Sequence, residues 1–180
     1  MNMRPIYPLI FGLFLAIESN AKDLVFLNRS AYSVMDIPIE LLIEAEVVTA
    51  IDGDTIGVRI LSKNELLAKY EKVRFIGVDT PETKDPRKAV QYFGKEAAAY
   101  TRYNLLSEKV YLCFDTTLRD RYDRLLCYII LSDRQVFNYN LIINGYGFAY
   151  TTFPFQYMRE FKEAETKAKR EGNGLWKRKQ

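Results

Sequence analysis

No histidine occurs anywhere in the 180 residues. That absence removes the commonest biological general base, the most frequent metal ligand and every Ser-His or Cys-His couple. Two cysteines, Cys113 and Cys127, are too few for a thiolate metal cluster or a framework of several disulfides. Charge of one sign is also scarce, since 26 Lys and Arg against 23 Asp and Glu leave only +3. Such a balance permits a polyanionic partner without requiring one. Any hydrolytic chemistry must therefore take its base from a carboxylate and its charge neutralisation from arginine or a metal.

Long apolar runs are missing except for one, from Ile6 to Ile17, preceded by Arg4 and followed by Ser19-Asn20-Ala21. The order of basic residue, apolar stretch and small-x-small site is that of a secretory signal occupying 1–21 and cut after Ala21. The alternative is a retained anchor, but a stretch of roughly 12 residues is short against the roughly 20 of a spanning helix. No cysteine follows the run to carry a lipid. The expected mature protein is secreted or periplasmic, with no stable membrane insertion. An oxidising compartment would let Cys113 and Cys127 pair, and closing that loop would stabilise the fold by roughly 3 kcal/mol. Two buried core thiols are the other possibility, and the sequence leaves both open.

With 48% hydrophobic and 14% aromatic residues, the chain has material for one core. No repeat or low-complexity tract is visible. Residues 22–43 show no clean period and form an N-terminal extension, 44–176 a single domain, and 177–180 a basic tail. Within the domain, Glu44 to Ile51, Thr55 to Leu61 and Glu71 to Val78 are β-rich, the first two separated by an Asp-Gly turn. Lys109 to Asp115 and Arg124 to Ser132 add two strands. Helices are expected at Lys88 to Leu106, after Pro86, with Val90, Phe93, Ala97, Tyr100 and Leu105 near one face. Two more are expected, at Val136 to Asn144 stopped by Gly145, and at about Gln156 to Arg170. The last has Met158, Phe161, Ala164 and Ala168 inward and Gly172 as its stop. Five short strands interleaved with three helices imply an α+β, mainly β fold, a five-stranded OB-type barrel with three helices. No heptad or obvious interface segment is present, so a monomer is expected.

The acidic and arginine residues cluster in three stretches: Ile51-Asp52-Gly53-Asp54-Thr55, Arg74-Phe75-Ile76-Gly77-Val78-Asp79-Thr80-Pro81-Glu82 and Arg121-Tyr122-Asp123-Arg124. In a strand meander, Asp54 in the first turn and Asp79 at the end of the third strand meet at one rim. Two carboxylates and a backbone carbonyl form a hard oxygen site suited to calcium, with water completing the shell. Taken alone, Asp-Gly-Asp-Thr is also the composition of an ordinary turn. Strict alternation places Arg74, five residues before Asp79, on the opposite strand face unless a bulge or the strand's end intervenes.

Taken together, Ile51-Asp-Gly-Asp-Thr55, Val78-Asp-Thr-Pro-Glu82, Asp120-Arg-Tyr-Asp-Arg124 and Gly174-Leu-Trp176, in this order and spacing, resemble the staphylococcal nuclease family. The resemblance covers about Glu44 to Trp176. It implies a calcium-dependent phosphodiesterase acting on DNA and RNA and leaving 3′-phosphate ends. It further implies that Asp54 and Asp79 are side-chain Ca²⁺ ligands, that Thr80 supplies its carbonyl, and that Glu82 is the general base. Arg74 and Arg124 would hold the scissile phosphate, and Arg121 and Tyr122 a terminal phosphate. The basic loop after Glu82, with Lys84, Arg87 and Lys88, falls where the family has a mobile loop; it is either an electrostatic capture site or a solvated loop.

Departures from the family pattern are Phe153 and Phe155, which stand for tyrosines beside the nucleotide, and Asp123, which replaces a glycine. Phenyl rings still stack on bases but have no hydroxyl to donate. Asp123 tolerates a left-handed turn while adding negative charge near the phosphate site. The stretch from Ser62 to Lys72 is longer than a tight hairpin needs. A non-catalytic nucleic-acid-binding OB scaffold is the runner-up, because fold does not fix function. Degenerate copies of that kind are expected to lose the arginines or Glu82, and here the set is complete. A secreted structural domain explains none of the clustered charges.

Overall fold

The computed structural model describes residues 38–83 and 91–177. The signal segment, most of the N-terminal extension, Lys84, Pro86, Arg87, Lys88, Val90 and the last three residues of the tail lie outside them. After one 3-10 turn at Ile39–Leu41, the chain runs β1 (Ile43–Asp52), β2 (Thr55–Ile60), β3 (Tyr70–Phe75), β4 (Val78–Asp79) and α1 (Gly94–Leu105). It continues through β5 (Lys109–Arg119), β6 (Leu125–Ile130), α2 (Phe137–Ile143), β7 (Phe148–Ala149) and α3 (Met158–Glu171), closing on a 3-10 turn at Gly174–Trp176.

Five strands close into a barrel in the order β1-β2-β3-β6-β5, antiparallel except for the parallel β3–β6 pair. The expected five-stranded barrel with three helices is the fold observed. Its interior follows from strand alternation. Ile43, Ala45 and Val47 of β1, Ile56 and Val58 of β2, Val73 and Phe75 of β3, and Val110, Leu112 and Phe114 of β5 are all buried. Glu71 also points inward and is neutralised there by Arg119, whose guanidinium donates two hydrogen bonds of 2.7 and 3.0 Å to its carboxylate. A buried carboxylate without that fork would be strongly destabilising.

The long β2–β3 connection is not a loose insertion. Ser62 Oγ accepts the Glu44 amide at 2.9 Å, the Leu61 amide donates to the Glu44 carbonyl, and Leu67 is buried beneath the segment. Helix α2 lays Phe137 edge-on against Phe75 at 6.0 Å between ring centroids. Helix α1 stacks Tyr100 on Tyr146 at 4.0 Å. Phe161, Ala164 and Ala168 of α3 face the core as expected, Met158 is half-buried, and the helix ends at Gly172 in the left-handed region.

One boundary matters for the site. The third strand does not run on to Val78: it stops at Phe75, and Ile76-Gly77 turns the chain before the two-residue strand β4 pairs with β7. Gly77 has φ +72, and an added Cβ would lie 2.6 Å from the Phe155 ring, so this turn requires glycine. Buried Asn138 fixes the turn by donating to the Ile76 and Cys127 carbonyls at 2.9 and 3.1 Å while accepting the Ile129 amide at 2.9 Å.

Cys113 and Cys127 are both free and buried. The β5–β6 register pairs Cys113 with Tyr128 and Phe114 with Cys127. A one-residue offset puts the two thiols on opposite faces of the sheet, so the pairing allowed by sequence is excluded by register. Burial, with the Asp115 charge beside it, pushes the Cys113 thiol up to about 12. Burial likewise raises Cys127 well above its ordinary value. We expect a thiol reagent to find no reactive cysteine in the native protein and both in denaturant, with an unfolding midpoint independent of reductant. A midpoint that falls on reduction would contradict this register.

Candidate active site

The β1–β2 turn, the β3 end and β4 converge because three local rules meet there. Asp-Gly makes the tight turn, Thr55 pairs in register with Arg74 across β2 and β3, and the Gly77 turn returns the chain toward the strand it has just left. Arg74 therefore reaches both acidic segments. One arm of its guanidinium forms an ion pair with Asp54 and the other lies 2.8 Å from Asp79 Oδ1. The alternation rule that set Arg74 and Asp79 on opposite faces fails here because the turn interrupts the strand between them.

Asp54 is buried and its carboxylate is fully engaged. Oδ2 accepts the Thr80 amide at 2.9 Å and the Thr80 hydroxyl at 3.1 Å, while Oδ1 accepts the Thr55 hydroxyl at 2.9 Å. Arg74 is largely buried as well. Burial lowers its pKa, the Asp79 charge opposes that shift, and the nearby Arg124 adds to it. The two arginines thus share one region, although they come from separate strand ends.

Arg124 is held from the adjoining turn by Asp120. Its Nε donates to Asp120 Oδ2 at 2.7 Å, its Nη2 lies 2.6 Å from the same oxygen, and Asp120 Oδ1 accepts the backbone amides of Tyr122 and Arg124. Asp123 occupies the left-handed region at φ +62, as its place in the turn suggested. Its carboxylate lies 3.5 Å from Arg119 Nε, so Asp123 pairs with a cation other than Arg124. Tyr122 stands exposed with the Arg121 guanidinium 4.7 Å and that of Arg124 5.4 Å from its ring centroid. Arg121 also donates to the Tyr122 hydroxyl at 2.6 Å.

Glu82 lies just past the rigid Pro81, and its neighbourhood includes a carboxylate that sequence reading left without a role. Asp52 accepts the Thr83 hydroxyl and the Gly53 amide, each at 2.9 Å, and its carboxyl interacts with that of Glu82. Burial raises the Asp52 pKa, partly offset by the Thr83 and Gly53 hydrogen bonds and reinforced by the Glu82 charge. The signal for Asp52 was in the Asp-Gly-Asp motif, but a turn-forming aspartate and a functional one look alike in sequence. Asp120, as the holder of Arg124, was missed for the same reason.

Not every expected residue joins the site. Phe155 is buried against Phe161, with ring centroids 5.3 Å apart, and is a core residue with no face left for a base. Phe153 is exposed and lies 6.2 Å from the Tyr150 ring, itself close enough to Arg74 to influence its charge. Lys84 lies outside the described residues. The late Gly174-Leu-Trp176 motif acts at a distance, through Trp176 packed edge-on at 5.4 Å against Phe148, the register partner of Asp79.

The donor chemistry fits a hard divalent cation. Among the described residues no group of three or more His, Cys, Asp or Glu side chains forms a metal cluster. Two carboxylates nevertheless converge on one cationic group, the Arg74 guanidinium, and Thr80 is hydrogen-bonded to the first of them. Carboxylate and carbonyl oxygens with water suit calcium and disfavour softer metals.

Comparison with known proteins identifies the family. Residues 72–178 match the family described as Staphylococcal nuclease homologue. The chain is 37% identical over 132 residues to the Thermonuclease of Staphylococcus hyicus, covering 73% of this chain and 74% of that protein. It is 36% identical over 130 residues to Endonuclease YncB of Bacillus subtilis, covering 71% and 58% respectively. SPbeta prophage-derived endonuclease YokF of the same organism is 34% identical over 138 residues, 75% of this chain and 44% of that protein.

Burial would raise the Asp120 pKa, but hydrogen bonds from the Arg124 side chain and from the Arg124 and Tyr122 amides, with the Arg124 charge, hold it below the ordinary value. A depressed carboxylate pKa adds stability above the unfolded value of about 3.9, and that stability disappears as pH falls through the folded value. Asp120→Asn should therefore be less stable than the parent at neutral pH, with the gap closing below about pH 4. Chemical denaturation across that range measures it, and a gap independent of pH would refute the linkage.

Proposed function

The chain belongs to the staphylococcal nuclease homologue family, and from that premise we propose that it is a calcium-dependent endonuclease. It hydrolyses phosphodiester bonds in DNA and RNA and leaves 3′-phosphate ends. The observation that carries this reading is the convergence of Asp54, Asp79 and Arg74, with Arg124 beside them. A phosphate entering such a site meets two guanidiniums, and the carboxylates that now balance Arg74 are hard-metal ligands.

In this reading Asp54 and Asp79 hold Ca²⁺ with their side chains and Thr80 contributes its backbone carbonyl. Bound calcium supplies Lewis-acid polarisation of a phosphoryl oxygen and local positive charge. Glu82 orients the attacking water or takes its proton. Water oxygen bonds to phosphorus as the bond to the 5′ oxygen breaks; the phosphate stays on the 3′ side and the leaving oxygen takes a proton from solvent water to become a 5′ hydroxyl. Arg74 and Arg124 stabilise the charge that builds on the equatorial oxygens, each planar fork matching two of them. Asp120 keeps the Arg124 fork oriented before substrate arrives. Arg121 and Tyr122 take a terminal phosphate, and Lys84 helps draw the polyanionic backbone toward the site.

The signal-like segment supports a secreted or periplasmic location, and no helix among the described residues is long and apolar enough to cross a membrane. A monomer accords with a site built from a single chain. The scaffold alternative accounts for the barrel but gives no reason to keep both arginines, both aspartates and Glu82.

The direct test incubates the purified mature protein with single-stranded DNA in calcium and then in a chelator, following cleavage and end chemistry. Calcium-dependent cutting to 3′-phosphate ends is expected; binding without cutting by folded, calcium-supplied protein would favour the scaffold. Arg74→Lys and Arg124→Lys should each keep the fold and lose about 2.7 to 4 kcal/mol of transition-state stabilisation, a hundredfold or more in turnover. The two should differ in calcium requirement. Arg74 also balances Asp54 and Asp79, so its replacement shifts the calcium dependence, whereas Arg124 touches neither. Near-normal turnover in both variants would sink the assignment.

A further inference from the structure

Glu82 lies in the 80–93 connection between β4 and α1 and is itself part of no strand. Its backbone is nevertheless held, by Gln91. The Glu82 amide donates to Gln91 Oε1 at 2.9 Å, and the Gln91 amide donates to the Glu82 carbonyl at 3.0 Å. The side-chain carbonyl of Gln91 thereby completes a two-way pairing of the kind seen between antiparallel strands. This pairing closes the ends of the segment between residues 82 and 91, whatever that segment does in between.

Gln91 is itself tied to α1. Its carbonyl accepts the Gly94 amide at 3.1 Å, and the first residue of the helix packs directly on the same connection. A Cβ added to Gly94 would lie 2.9 Å from the Pro81 carbonyl oxygen and 3.2 Å from that of Glu82. From the opposite side the Thr83 hydroxyl donates to Asp52 in the β1–β2 turn. The residue proposed as base is therefore set between α1 and the turn that carries Asp54.

Packing gives no reason for glutamine at this position. Gln91 is exposed and lies outside the core cluster. What it contributes is an acceptor at the right height for one amide. We propose that Gln91 is a positioning residue for Glu82, holding the main chain from which the carboxylate reaches the attacking water. A base must lie within about 2.6 to 3.2 Å of the proton it takes, and a displacement of about 1 Å can cost a hundredfold in rate. The proposal rests on the nuclease reading for its catalytic consequence alone, because the hydrogen bonds can be tested without activity.

The test compares Gln91→Met, which keeps the length but has no oxygen acceptor, with Gln91→Glu, which keeps it. In Gln91→Met the Glu82 amide should lose its protection from hydrogen exchange. Its kcat on single-stranded DNA should fall about tenfold or more, with KM within about threefold of wild type and the melting temperature nearly unchanged. Gln91→Glu should restore amide protection and most of kcat. Unchanged kcat in Gln91→Met, or a fall in kcat that follows lost thermal stability, would overturn the proposal, as would a protected Glu82 amide in that variant. A wild-type protein that binds but never cleaves would instead defeat the nuclease reading, while the exchange data still decide whether Gln91 holds Glu82.

Discussion

The arrangement depends on the ion pairs of one guanidinium. Arg74 is buried enough that its charge would be costly alone, and Asp54 is more buried still. Neither group is tolerable in that position without the other. The pair fixes the end of β3 to the β1–β2 turn, and the second arm of Arg74 fixes both to β4 through Asp79. Three segments distant in sequence are thus joined at one cation. Asp54 and Asp79 would repel each other across this gap if no positive charge stood between them, so Arg74 is what lets the two carboxylates stand together. Arg74 serves here as a structural counterion to residues whose proposed role is to bind a cation.

Support for that junction comes from the core. The turn that delivers Asp79 passes through Gly77, whose missing side chain leaves room for Phe155, and through Ile76, whose carbonyl is held by Asn138. The same Asn138 bonds β6 at Cys127 and Ile129. Beyond the turn, the Tyr150 amide donates to the Gly77 carbonyl at 2.9 Å, and Glu165 of α3 accepts the Ala149 amide at 3.3 Å. Helix α3 therefore braces β7, β7 pairs with β4, and β4 carries Asp79. Core packing and site geometry are set by one connected group of residues, which is how a small barrel fixes carboxylates that belong to loops and strand ends.

The barrel was legible because its strands alternate cleanly and its helices carry clear stops, Gly145 and Gly172 among them. The cluster of Asp54, Arg74, Asp79 and Arg124 was legible as motifs, since each motif sits at a strand end and a closed barrel gathers strand ends on its rim. What alternation could not supply was the break at Ile76-Gly77. Counting residues along a strand assumes that the strand continues, and the left-handed glycine that ends it looked like one more strand residue. The cysteines stayed open in sequence for a similar reason, because a single-residue offset in register separates facing thiols from thiols on opposite faces. Phe155 carried the composition of a base-stacking residue and became core, since the Gly77 turn that makes room for its ring lies far away in sequence. Asp52 and Asp120 were visible as letters, but their partners Thr83, Glu82 and Arg124 acquire meaning only once the turns are folded.

The absence of histidine gains weight from this arrangement. With no imidazole in the chain, the proposed base is a carboxylate, an intrinsically weaker base, so proton abstraction is not the main source of rate enhancement to look for in such a site. The remainder must come from charge placed in advance around the phosphate, which is the larger source in many acyl- and phosphoryl-transfer sites. This chain invests its site residues accordingly: Asp120 orients Arg124, Thr55 and Thr80 orient Asp54, and Arg74 is fixed from two sides. Each of these contacts restrains a charged group that the proposed reaction would use, which is the form electrostatic preorganisation takes. In the proposed site the placement of these charges rests on the buried Arg74–Asp54 pair and on the turn at Gly77, which brings Asp79 to the other arm of Arg74.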